Sequence, residues 1–134
     1  MIRLGASFLL GLLAAHAQAA AREADVAKAA DAIVAGTNAF RREHELPALR
    51  VHPKLEATAR EFARYMASTN RYGHEADGRH PEDRAQAQGY GYCIVLENIA
   101  YQFDSRGFET MRLALDVLEG WKGSPGHRKN MFWR

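Results

Sequence analysis

The sequence predicts an α+β domain in which helices cover both faces of a sheet. Three observations carry that reading. Apolar residues recur at helical spacing in three long segments, and one stretch rich in β-branched and aromatic residues, Tyr90 to Phe103, has the composition of a strand. Both faces of that strand are mainly apolar, as in a strand covered on two sides.

The chain opens on MIRLGASFLLGLLAAHAQAA, which joins a short basic start at Arg3 to an apolar run from Leu4 to Ala15 and the small-x-small triplet Ala17-Gln18-Ala19. This is the build of a secretory signal peptide. The expected cut follows Ala19, leaving residues 20–134 as the mature domain. The apolar run is too short to span a bilayer comfortably and no second one follows, so no transmembrane segment is expected in the mature chain.

From Glu23 to about Glu45, residues Val26, Ala30, Ile33, Ala35, Thr37 and Phe40 recur near helical spacing, and a first helix ends before Pro47. The prolines of LPALRVHPKL mark a connector. Pro53 suits the first position of a second helix with the stripe Leu55, Ala59, Phe62 and Met66, ending near Asn70. A long polar passage follows, with turns at Gly73 and Asp77-Gly78 and a short helix from Pro81 that Gly89 closes. Within the strand, alternation sets Ile94, Leu96, Asn98 and Ala100 on one face and Cys93, Val95, Glu97, Ile99 and Tyr101 on the other. Phe108, Met111, Leu115, Leu118 and Trp121 then draw a further helical stripe. Ser124-Pro125 reads as the N-cap and first position of a last short helix.

A length of 134 residues with 47% hydrophobic and 25% charged residues has the balance of one globular domain. The formal net charge of +2, with Lys and Arg spread among acids, leaves nucleic-acid binding without support. Cys93 is alone, so no internal disulfide can form. With the Ala-rich leader, that points to a bacterial exported protein, secreted or periplasmic.

Glu97 is the residue richest in chemical meaning. A lone carboxylate in an apolar strand is costly to desolvate, so it needs a histidine, a backbone amide, an arginine or a metal ion beside it. His74 follows a glycine in the polar loop, and His127 stands in the first turn of the last helix, where the helix dipole favours the neutral ring. Neutral imidazole is the form that binds metal or takes a proton. Two histidines and a glutamate, if convergent, match a three-ligand metal site with an open position. Ser124 beside His127 has the simpler role of a helix cap, and no nucleophile elbow accompanies it. Arg84, three residues after Pro81, reads as a local anchor of its short helix, of modest worth.

The motifs NAFR (Asn38 to Arg41), LPAL (Leu46 to Leu49), Gly73-His74, ENIA (Glu97 to Ala100) and WKGSPGHRKNM (Trp121 to Met131) together resemble the SCP-like or CAP domain family. That family includes cysteine-rich secretory proteins, venom antigen 5 and plant pathogenesis-related proteins, and the likeness here is to its cysteine-poor bacterial form. It runs from about Val26 to Met131. The resemblance implies an α-β-α sandwich with a central cleft lined by histidines and acidic residues. His74, Glu97 and His127 fall on three of those positions, and Ser124 stands where eukaryotic relatives have a glutamate. Family members continue past the histidine helix into further strands. The expectation is therefore a domain incomplete at its C-terminus, lacking the last strands of the sheet and marginally stable.

The function this implies is an exported, non-enzymatic binding module. Its cleft would hold a divalent metal such as zinc through His74, Glu97 and His127, or a small apolar or lipid-like ligand, with Ser124 placed to attract an anion. The alternatives are a metal-assisted hydrolase with Glu97 as general base, and an inactive remnant that does not fold.

Overall fold

The computed structural model describes residues 23–134, so the signal-peptide reading of residues 1–19 lies outside the described residues. Five helices follow in order: α1 (Val26–Glu43), α2 (Pro53–Thr69), α3 (Pro81–Ala87), α4 (Thr110–Gly123) and α5 (Pro125–Met131). Their ends obey local chemistry. The Asp25 carboxylate accepts from the Lys28 amide at 3.0 Å and opens α1. Pro53 occupies the first turn of α2, and Asn70, with φ of 52°, closes it in the left-handed conformation that Asn tolerates. Gly89, with φ of 72°, turns the chain out of α3 as its donated bond to the Gln86 carbonyl completes the turn.

The α+β expectation fails here. Among the described residues there is no strand and no sheet, so the α-β-α sandwich is not formed and the architecture is helical. The stretch expected to be a strand, Tyr90 to Phe103, runs as irregular chain. Composition marks a segment that would fit a sheet, but a strand exists only when another backbone completes its ladder, and the described residues supply none. Nor are both faces covered: Ile94 is 50% exposed and Leu96 40%, while Val95, Glu97 and Ile99 turn inward to half-buried positions.

Side chains of the last two helices hold this segment instead. Trp121 Nε1 donates to the Ile99 carbonyl at 3.1 Å, and Asn130 Nδ2 donates to the Glu97 carbonyl at 3.2 Å and to Asn98 Oδ1 at 2.9 Å. Asn98 in turn donates from Nδ2 to the His127 carbonyl at 3.1 Å. Bonds of this kind are worth about 1 kcal/mol each and, unlike a ladder, fix the segment only at chosen points.

The principal helix contact is α1 against α4, with α5 packed on α4 and α3 on α2. Its buried side chains are Ala29 from α1 and Ala114, Val117 and Leu118 from α4. The α4 stripe read from the sequence is thus partly misplaced, because Met111 and Leu115 face outward and the buried face is turned toward Ala114 and Val117. Small residues let the axes approach: a Cβ on Gly36 would stand 2.3 Å from Leu118 Cδ1.

Arg41 closes this half of the molecule. It is 2% exposed, and its Nε donates to the Pro47 carbonyl at 2.9 Å while Nη1 donates to the carbonyls of Met131 (2.7 Å) and Trp133 (2.9 Å). One side chain therefore ties the end of α1 to the connector and to the end of α5.

Leu118 is almost wholly enclosed and cannot swing away from a new methyl group, so overpacking should outweigh the gain of about 1 kcal/mol in helix propensity when Gly36 becomes alanine. Gly36→Ala is expected to lower stability by about 1 kcal/mol. Combined with Leu118→Ala, it should become neutral or stabilising, a coupling of about 1 kcal/mol or more in a double-mutant cycle read by urea melts. Strict additivity would contradict the close approach.

Candidate functional site

The site grows from the loop between α2 and α3. Gly73 (φ 142°) and Gly78 (φ 78°) turn it, with the Ala76 amide donating to the Gly73 carbonyl and the Gly78 amide to the Glu75 carbonyl. The His80 amide donates to Asp83 Oδ2 at 3.1 Å, which sets the start of α3 and aims Arg84 back into the loop.

Arg84 is the hub. Its Nη1 donates to Asp77 Oδ1 at 2.9 Å and to the Arg79 carbonyl at 2.8 Å, and its Nη2 donates to the His74 carbonyl at 2.9 Å. Nη2 also reaches both Glu97 oxygens, at 3.0 and 2.9 Å. The side chain is 3% exposed, against 17% for Glu97. Its guanidinium carbon stands 3.5 Å from the centroid of the Phe62 ring, a cation–π contact that seats the charge on the α2 stripe. Only Nε is buried without a partner.

The sequence reading took Arg84 for a local anchor. The pair with Asp77 is local, but the pair with Glu97 spans the loop and is enclosed, so the small worth of exposed ion pairs does not apply. Glu97 finds the partner it was expected to need in this arginine and in His74, whose Nδ1 lies 2.9 Å from Oε1. A carboxylate accepts, so Nδ1 carries the proton in the neutral ring and Nε2 is left as an acceptor on a side chain that is 50% exposed.

The same cluster sets the charge of Asp77. Burial pushes its carboxyl up, but bonds from the Arg79 side chain and amide, with the attraction of Arg84 and Arg79, outweigh that and hold it below its ordinary 3.8.

His74 and Glu97 are therefore together. The side chain of His127 makes no hydrogen bond to either: its carbonyl accepts from Asn98, the neighbour of Glu97, and its ring lies 6.5 Å from that of Trp121. Ser124 is the N-cap residue of α5 and Pro125 its first position, as read from the sequence, but the Ser124 side chain makes no capping bond. Sequence reasoning missed Asp77 as a partner of Arg84, and Asn98 and Asn130 as the clasp behind Glu97. The Asp77-Gly78 turn seven residues before Arg84 was the only local signal for any of these.

Among the described residues, no group of three or more His, Cys, Asp or Glu side chains is arranged to hold a metal ion. The donor chemistry agrees with that. Both Glu97 oxygens accept from a guanidinium, whose charge opposes a divalent cation at the same place, and His74 Nδ1 is taken by Oε1. As arranged, these residues do not fit a resident metal.

Comparison with known proteins places the chain in a family. Residues 34–134 match the model of the cysteine-rich secretory protein family, CAP. The chain is also 31% identical, over 100 residues, to the uncharacterized protein YkwD of Bacillus subtilis (strain 168), a match covering 74% of this chain and 36% of that protein. The chain thus spans little more than a third of that relative's length. No solved structure matches it.

Arg84→Met would strand Asp77 and Glu97 without their cation and should cost about 3–5 kcal/mol in a denaturant melt. Arg84→Lys should recover only part, because one ammonium cannot serve both carboxylates and two carbonyls. The depressed Asp77 carboxyl adds a pH term. Its contribution is present above its unfolded value and is lost as pH falls through the lower folded value. Stability should decline below about pH 4, and Asp77→Asn should flatten that decline.

Proposed function

The chain belongs to the cysteine-rich secretory protein (CAP) family, and from that premise we propose that it is an exported, non-enzymatic binding module. The observation that carries the binding role is the condition of Glu97. A general base needs a lone pair free to meet the substrate's proton. Glu97 accepts from buried Arg84 on both oxygens and lies against His74 on one, which occupies most of the roughly four acceptor sites of a carboxylate and holds the group among structural partners rather than presenting it to a substrate.

The ligand this arrangement favours is a small molecule with an apolar body and one polar group. His74 offers Nε2 at the surface, and Ile94 and Leu96 in the segment of Glu97 are exposed, so a polar point accompanies apolar surface as in most small-ligand sites. A lipid-like ligand suits this better than a metal ion, since Arg84 already supplies the positive charge. His127 meets the same segment through Asn98, and Ser124 opens the helix that carries His127. Export is supported by the leader-like first 19 residues and by the secretory character of the family. Among the described residues no helix is long and apolar enough to cross a membrane.

Titration of the purified chain with a fluorescent dodecyl-chain probe should show saturable binding that Leu96→Asp weakens roughly tenfold, the worth of one buried leucine contact. Incubation with peptide and ester substrates, with and without zinc, should leave them intact. Zinc-dependent turnover that Glu97→Ala abolishes would replace this reading with that of a hydrolase.

A further inference from the structure

A hollow lies away from the Arg84 network, where the ends of α1, α4 and α5 meet. It has a volume of about 380 Å³ and is lined by Phe40, His44, Lys122, Arg128 and Phe132. None of these residues takes part in the His74–Glu97 cluster. It is an open depression rather than an enclosed cavity.

Its walls combine two features. The first is an aromatic cluster: Phe40 and Phe132 stack with centroids 5.1 Å apart and planes inclined by 22°, and His44 stands edge-on to both at 4.7 and 4.8 Å. The second is an excess of positive charge. Lys122 Nζ lies 5.3 Å from the Phe40 centroid, and the Arg128 side chain has no partner among the described residues. Among the described residues no carboxylate lines the hollow. Glu119 holds Lys122 from outside, accepting from Nζ at 2.9 Å, and is itself 68% exposed.

A further positive charge sits on Arg41, the neighbour in sequence of the lining residue Phe40. Its buried guanidinium is bonded to the carbonyls of Pro47, Met131 and Trp133 and pairs with no carboxylate among the described residues. The last two carbonyls belong to the residues on either side of Phe132, so this buried cation is tied to the chain that carries one wall of the hollow. Buried charge is screened less by solvent than exposed charge, and a nearby anion is favoured accordingly.

We infer that this hollow binds a small planar aromatic anion, a single ring carrying one acidic group. The ring extends the Phe40–Phe132–His44 cluster by offset or edge contact, and the acid meets Arg128 and Lys122. An aliphatic acid satisfies only the charge, and a neutral ring only the stack. This reading is independent of the one for the His74–Glu97 site.

The test uses the full chain, isotope-labelled, titrated with benzoate and followed by amide chemical shifts. Parallel titrations use benzyl alcohol, which lacks the charge, hexanoate, which lacks the ring, and inorganic phosphate. Saturable benzoate shifts centred on Phe40, His44 and Phe132 are expected, with hexanoate and benzyl alcohol each binding at least about fivefold more weakly. Arg128→Ala should weaken benzoate by a similar factor while leaving the remaining spectrum, and hence the fold, unchanged. Phosphate competing with benzoate is consistent with the charge subsite. Equal binding of hexanoate, shifts centred elsewhere, or undiminished affinity in Arg128→Ala would each overturn the proposal.

Discussion

A guanidinium can be kept from water only where nearly all of its donors are met, and Arg84 imposes that condition on everything from His74 to Glu97. Two carboxylates and two backbone carbonyls must arrive at one side chain that also rests on the Phe62 ring. The turns at Gly73 and Gly78 curl the loop so that the carbonyls point inward, and the short helix α3 delivers the arginine. Segment 92–103, which has no ladder of its own, is placed first by what Glu97 must do for Arg84.

The molecule is thus a helical pair and a group of three helices with a polar joint between them. On one side α2 and α3 enclose Arg84, and on the other α1, α4 and α5 enclose Arg41. Glu97 faces the first unit through its side chain and the second through its carbonyl, which accepts from Asn130. The apolar core is modest, made largely of Ala, Val and Leu with Phe62, Leu46 and Met131, so these directed bonds decide relative placement more than packing does. Glu97 thereby registers the two halves of the fold against each other.

How much of this was legible depended on range. The helix boundaries were close to what Pro53, Asn70, Pro81 and Gly89 announce, since caps and breakers act within a few residues. The buried face of α4 was read partly wrong because Met111 and Leu115 look like core residues, whereas Ala114 and Val117 are buried beside the expected Leu118, which the close approach of Gly36 encloses. The strand was wrong for a deeper reason: β composition states a capacity, and pairing depends on backbone that composition does not describe. The carboxylate's need for a partner was legible from its apolar neighbours, whereas the identity of that partner was not, because nothing local distinguishes Arg84 from the other arginines of the loop.

Arg41 has a bearing on how the chain acquires its structure in time. Two of its three acceptors lie 90 and 92 residues downstream, so during synthesis the first helix emerges with a cation it cannot yet bury. Those two bonds can form only once residues 131–133 have left the ribosome, so this closure comes late in synthesis.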